Sequence, residues 1–290
     1  MKNLFERASS HWVKYSEYVI KDGYITPAPN AKPCVYDPLK DAKSLVVDAL
    51  NVGLLVLGKK NAENALLDFV HKYGLLGFMT ALPTTPNFME YDAVYLPKNH
   101  FIKVESMAVD EYAAQFFPFD KPDFKKNQDE VRWDVDGESE MLALALTFQD
   151  QPLAINMSFG REYAERLDWL LLQFKDWAFT FMSSIFYYND YDRLDETERD
   201  LYRKGMAAFG GIAPTYHIAL LDKPTIVWDF HSLLLGVQMM FSFMLTDEKN
   251  PLRMCRHCQH VFAATHSNAA FCSPQCKNQY NVYKTRAKKD

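Results

Sequence analysis

No stretch of this 290-residue chain stays apolar long enough to cross a bilayer, and none reads as an address. The most apolar run, HSLLLGVQMMFSFML at residues 231–245, is flanked closely by Asp229 and Asp247. It falls short of the roughly 18–20 residues that a membrane helix needs, so a buried helix is the expectation. The opening, MKNLFERASSHWVKYSEY, mixes charges among its apolar residues and lacks the core of a secretory leader. Low-complexity tracts and internal repeats are missing, which excludes solenoids and disordered arrays. So are the phosphate-binding loops G-x-G-x-x-G and Walker A, and the metalloprotease H-E-x-x-H. With no catalytic motif to build on, the chain is expected not to be an enzyme. Cysteine is scarce: there are five, and four of them lie between Cys255 and Cys276.

What is present is core-forming material. Apolar residues make up 48% of the chain and charged residues 24%, with 21 Phe, 16 Tyr and 5 Trp. That composition suits a well-packed body. The length fits one large domain, or one medium domain with a small appendage. A soluble, cytoplasmic protein with no membrane partner is expected. In a reducing compartment, clustered thiols bind metal more readily than they pair as disulfides. Charge is unevenly placed. Residues 251–290 carry seven basic side chains and one acidic one, while residues 1–250 carry 25 basic and 36 acidic. An acidic body thus ends in a basic tail.

Along the body the pattern is mostly helical. Aromatics about one turn apart (Phe5, Trp12, Tyr15, Tyr18) suggest a helix over 3–20, and Pro27, Pro29 and Pro33 suggest a loop over 23–37. Asp37 as cap and Pro38 in the first turn open a helix that runs to Leu57, and another over 61–73 closes at Gly74. Short strands are expected around 93–106, then a helix at 107–117, a polar loop at 121–134 and a helix at 138–148. The strongest helical segment is 161–188, followed by 195–209 with Gly210 and Gly211 after it. Residues 215–230 read as a hairpin about Asp222-Lys223-Pro224, and 231–246 as the apolar helix. The expected fold class is mainly α with a few short antiparallel strands (α+β), as a body over 1–250. A small treble-clef-like zinc finger follows over 251–290.

The thiols sit as Cys255-x2-Cys258, thirteen residues, then Cys272-x3-Cys276. Two close pairs across a short loop suit a tetrahedral metal, each pair supplying two ligands from one turn. Four thiolates would close the shell and make the site structural, with zinc as the expected cofactor. A dithiol redox pair would leave the second pair unexplained; an iron–sulfur cluster also takes four cysteines. His257, His260 and His266 lie near enough in sequence to replace one thiol. Ser273-Pro274 matches a helix start, which places Cys276 in the first turn of a helix over 274–288. The first pair is expected on a tight knuckle with Phe262 packed behind it. Cys34 stands alone.

This tail resembles a known family. The run Arg253-x-Cys255-x2-Cys258-x3-Phe262, then Phe271-Cys272-Ser273-x2-Cys276-x-Asn278, is similar to the CGNR-type zinc finger that closes many bacterial proteins, several of them presumed transcription regulators. The signature here reads Cys276-Lys277-Asn278-Gln279, with Lys and Gln where the family has Gly and Arg. The body, with ALLDFVHKYGLLGF at 65–78, resembles the mostly helical N-terminal halves of a bacterial family carrying such a finger. The resemblance implies a metal-binding regulator that contacts DNA.

On the expected last helix, Lys277, Asn281, Lys284 and Lys288 share one face, Arg286 is a further candidate contact, and Tyr280, Tyr283 and Ala287 form a stripe suited to the knuckle. Such a face suits DNA or RNA phosphates, and Asn278 and Gln279 suit base edges. The competing reading is that these cations balance the formal −2 charge of a zinc–tetrathiolate centre. The finger is then only a staple, and a protein partner or small ligand binds the acidic body. Asp190, Asp192, Asp195 and Glu196 beside Arg193 and Arg199 read as a solvated connection, Tyr187, Tyr188 and Tyr191 as packing or a pocket wall, and His217 and His231 as structural.

Overall fold

The computed structural model describes residues 8–9, 11–119, 151–209, 214–266 and 268–286. The expected loop at 121–134 and helix at 138–148, and the glycine pair 210–211, lie outside the described residues. The architecture is α+β, with helices and small, largely antiparallel sheets. The chain forms two compact units, each assembled from three segments: 1–40, 63–172 and 211–236 in one; 41–62, 173–210 and 237–290 in the other. Among the described residues no helix is long and apolar enough to cross a membrane.

The first unit corrects the expected N-terminal helix and the loop after it. Trp12–Tyr15 and Pro33–Tyr36 pair as antiparallel strands, as do Tyr18–Lys21 and Tyr24–Pro27. The aromatic and β-branched density of 12–26 favours a half-buried pleated surface. Asp22 and Gly23, with φ of 48° and 80°, make the two-residue turn between Lys21 and Tyr24. Two left-handed residues in that place match the twist of a hairpin, so Asp-Gly was the local signal for it. Pro27 and Pro33 sit at strand ends, where a missing N–H costs least, and Pro29 lies in the turn between those strands.

The long helix also starts later than its periodicity suggests. Glu165–Arg166 form a third strand against Tyr24 and Ile25, and the helix spans Leu167–Asn189. Glu165 is fully buried. Its Oε1 accepts from the amides of Gly77 (2.6 Å) and Phe78 (2.8 Å) and from the Tyr163 hydroxyl (2.7 Å), and its Oε2 accepts from the Leu76 amide (2.9 Å). Burial pushes the Glu165 pKa above the ordinary carboxylate value, against the pull of these four donors. The segment it grips follows the helix Glu63–Tyr73, which ends as expected at Gly74 (φ 86°). Trp12 Nε1 donates to Leu75 O at 2.9 Å. At Gly77 (φ 78°) a Cβ would lie 2.6 Å from the Trp12 ring, so only glycine admits this approach.

Short elements complete this unit. Ala93–Tyr95 pairs with Ser106–Ala108, the second strand falling just after the expected one, and a helix occupies Val109–Ala114. The expected hairpin forms, with Thr215–Leu220 and Pro224–Asp229 in antiparallel register from Thr215↔Asp229 to Leu220↔Pro224. His217 Nδ1 lies 2.8 Å from Asp229 Oδ2, and His231 Nε2 lies 2.5 Å from Thr215 Oγ1. Both histidines therefore engage the hairpin itself.

In the second unit, Asp41 caps the helix Ala42–Leu57 by accepting from the Ser44 amide; Pro38–Asp41 forms a 3-10 turn ahead of it. The Asp37-Pro38 start is thus real but one turn tighter than an α-helix. This helix passes very close to the part of the long helix beyond Gln173. A Cβ on Gly53 would stand 2.7 Å from the Ala178 Cβ and closer still to the Phe174 carbonyl oxygen. The helix Glu196–Ala208 opens with a full capping box between Asp195 and Glu198. The apolar helix Leu233–Leu245 has its residues from Val237 onward in this unit.

Candidate metal centre

The described residues from 251 to 286 fold around four cysteines. Leu252–Met254 and Val261–Ala263 pair as antiparallel strands, with Met254 opposite Val261. Between them the chain turns sharply. The Cys255 amide donates to His260 O and the Gln259 amide to Cys255 O, each at 2.9 Å, and Gln259 takes a left-handed φ of 62°. This is the expected knuckle, with Cys255 and Cys258 on it. Its buried apolar residue is Val261 at 2% exposure; Phe262, expected behind the knuckle, is only half-buried.

The second pair stands at the start of the helix Pro274–Arg286, as Ser273-Pro274 suggests. Ser273 Oγ accepts from the Cys276 amide at 3.2 Å, which satisfies one of the helix's unpaired donors. Cys272 thus lies just before the helix and Cys276 in its first turn.

These local structures bring all four sulfurs together. The Sγ atoms of Cys255, Cys258, Cys272 and Cys276 lie within 4.8 Å of one another. Cys258 and Cys272 are separated by 3.6 Å, Cys272 and Cys276 by 3.5 Å. A tetrahedral ion with bonds of about 2.3 Å to sulfur needs its ligands about 3.8 Å apart, so four thiolates at these distances can hold one metal ion. His257, His260 and His266 are not in the group. The His257 ring instead stacks on Tyr283, with centroids 5.8 Å apart and planes 16° apart.

The thiols differ in their surroundings. Cys255 is fully buried; burial raises its pKa, but backbone amides of Cys258, Cys272 and His257 outweigh this and bring it down to about 6. The Cys272 amide lies 3.5 Å from the Cys255 sulfur. Cys272 is exposed, yet partial desolvation pushes its thiol up to about 12, with the sulfurs of Cys276 and Cys258 acting in the same direction. Four crowded thiols cannot all ionise unaided. A divalent cation at their centre would relieve that repulsion.

The terminal helix has no buried residue. Lys277, Asn278, Gln279, Asn281, Lys284 and Arg286 are all exposed on it, while Lys288 lies outside the described residues. Tyr280 is half-buried, its ring 5.2 Å from that of Phe271. Tyr283 is 60% exposed but packs on the knuckle as expected, through its stack on His257, and Ala287 lies outside the described residues.

One residue of the site was not foreseen. Asn51, on the helix Ala42–Leu57, donates through Nδ2 to Val261 O (3.1 Å) and accepts through Oδ1 from the Val261 amide (2.8 Å). It thereby completes the backbone pairing of the strand that leaves the knuckle. The signal was present as a lone amide inside the apolar run LVVDALNVGLLVL. Asn51→Leu is expected to leave both Val261 groups unpaired. It should destabilise the knuckle by about 2 kcal/mol and speed metal loss to a chelator several-fold. Asn51→Gln, whose longer arm misplaces the same groups, should do so less. Chelator-transfer rates on the two variants check this; unchanged rates would mean that Asn51 does not support the site.

Comparison of the chain with protein-family models, with curated proteins and with solved structures finds no match.

Proposed function

We propose that the four cysteines hold zinc as a closed structural centre in a treble-clef-like, CGNR-type finger, and that the exposed basic side of the terminal helix docks against nucleic acid. The protein is then a bacterial regulator whose finger does the docking. The observation that carries the reading is a helix with no buried residue, anchored at its first turn by the four-sulfur cluster and presenting Lys277, Lys284 and Arg286 to solvent. A donor set of four thiolates favours zinc over magnesium or calcium. Bound zinc would supply a cross-link between knuckle and helix in a segment too short to bury a core of its own.

Each residue has a role in that arrangement. Cys255 and Cys258 fix the knuckle, Cys272 and Cys276 fix the helix start, and Ser273 orients its first turn. Lys277 and Lys284, seven residues apart on one face, would meet phosphates, while Asn278 and Gln279 stand in the turn after the metal ligand Cys276, where base edges or sugars come within reach. A zinc–tetrathiolate lowers the tail's positive charge by two, and the acidic body opposes a polyanion. The interaction is therefore local and salt-sensitive, acting within a screening length of roughly 10 Å.

Fluorescence anisotropy with random duplex DNA and single-stranded RNA across a salt series tests this. The expected result is binding by the full-length chain that weakens steeply with salt. Lys277→Glu combined with Lys284→Glu should reduce the salt slope by about 2 and the affinity at least ten-fold, with metal content unchanged. Undiminished binding by the double variant, or no binding at low salt by metal-loaded protein, refutes the docking role.

A specific feature favours a second reading, in which the finger is a staple and the body binds a protein. Tyr216, Ile218 and Leu220 alternate along the strand Thr215–Leu220 and are 61%, 65% and 84% exposed. A row of large apolar side chains on an edge strand is a common protein-binding surface. Loss of a partner on Ile218→Ser, with nucleic-acid affinity absent, would favour it.

A further inference from the structure

A cleft of about 860 Å³ opens in the second unit, beside the strand that leads into Cys255. Its volume lies in the range of sites that take drug-sized molecules. One wall is aromatic. Tyr187, Tyr188 and Tyr202 line it, with the Tyr187 ring 5.2 Å from Tyr188 and 5.8 Å from Tyr202. Tyr188 is 76% exposed, an unusual setting for a ring that packing alone would bury. Met206 and Leu245 add an apolar floor.

Arg203 and Arg253 also line the cleft. Arg203 is held in place rather than consumed. One terminal nitrogen bonds Glu196 Oε1 at 2.8 Å, and half of the side chain stays exposed. Glu196 itself is not among the lining residues. Of the two acidic groups at the mouth, Asp247 is already committed, accepting from the amides of Lys249 (2.8 Å) and Asn250 (3.1 Å). Glu248 remains, and it disfavours a ligand with several negative charges.

A cluster of tyrosine rings, apolar side chains and a guanidinium lining one cleft together select an aromatic body with a single anionic group. We infer that this cleft is a binding site for a small aromatic carboxylic acid, whose ring packs among the tyrosines and whose carboxylate pairs with Arg203. The site lies wholly within the second unit and is separate from the thiol cluster and the exposed helix face.

The probe for this is 2-naphthoate, titrated into the full-length, metal-loaded chain by calorimetry, with 2-naphthamide as its uncharged isostere. The expected result is one saturable site per chain for the acid, with the amide at least ten-fold weaker, the loss expected when a charge-assisted hydrogen bond is removed. Arg203→Gln should weaken the acid roughly ten-fold and leave the amide unchanged. Because Arg203 is exposed, that variant keeps its fold, which a thermal melt verifies. Met206→Trp, which fills the floor, should abolish both; if it does not fold, the acid–amide comparison and Arg203→Gln decide alone. Ile218→Ser, in the other unit, should change nothing. Absence of saturable binding at millimolar acid, equal affinity for acid and amide, or an unaffected Arg203→Gln variant would each overturn the assignment.

Discussion

Thiol titration of the folded, metal-loaded chain should find one reactive cysteine, the exposed Cys34, until a strong chelator is added, and five afterwards. Cys272 makes the test sharp, because its side chain is exposed and only engagement with a metal would shield it. Metal analysis of the same sample should give one ion per chain. Cys255→Ser should remove the ion almost completely, since a hydroxyl is a poor ligand and this sulfur is the buried one of the four. The energy at stake is on the order of 10 kcal/mol of local folding. Amide exchange over 251–286 should therefore collapse toward unfolded rates in the variant and in the chelated protein. Acid should act in the same direction, because ligation needs thiolates and each proton regained competes with the metal. Four or five reactive thiols in freshly purified protein, with no ion present, would remove the metal reading altogether.

The second large effect concerns Glu165, which lies in the other unit. Glu165→Ala should strand three backbone amides and the Tyr163 hydroxyl in a sealed interior. At about 1–3 kcal/mol for each unsatisfied group, partly relieved by entering water, the loss should be on the order of 5 kcal/mol. Whole domains are stable by only about 5–15 kcal/mol, so the variant should unfold at far lower urea or not accumulate as folded protein. Glu165→Gln keeps one acceptor oxygen but turns an amino group toward N–H donors, and about half that cost is expected.

The pH dependence has a definite sign. Burial raises the folded-state pKa of Glu165 above 4.5. The folded state then holds the proton more tightly than the unfolded chain does. The stability this contributes is complete below pH 4.5 and is lost as pH climbs through the folded value. Glu165→Gln has no such proton, so urea midpoints of the two proteins should converge as pH rises through that window. A constant difference across it, or an alanine variant within about 1 kcal/mol of the parent, would show that the carboxylate is not the keystone of the Leu76–Phe78 segment.

The local features of this chain were the legible ones. The hairpin at 215–229, the helices over 42–57, 63–73 and 196–208, and the terminal helix each follow from periodicity, a capping side chain or a turn within a few residues. The thiol cluster was legible for the same reason. Each pair of ligands sits within one turn, and the short segment between them leaves little choice but to converge. Residues 12–36 went the other way. Their aromatics fall about one helical turn apart, yet their strands gain stability from partners elsewhere: Trp12–Tyr15 from Pro33–Tyr36, and Tyr24–Ile25 from Glu165–Arg166. Helical spacing over so short a run cannot register a partner that distant.

The same division separates the residues with the largest predicted effects. The four cysteines determined by themselves where a metal can sit, because ligand chemistry and spacing are properties of the chain. Glu165 read as the charged start of an amphipathic helix, and Asn51 as one amide in an apolar one. Only folding around them made the first a buried acceptor for three amides and the second a clasp on Val261. A polar side chain takes its energetic meaning from the groups left without water around it, and those groups are chosen by the tertiary structure.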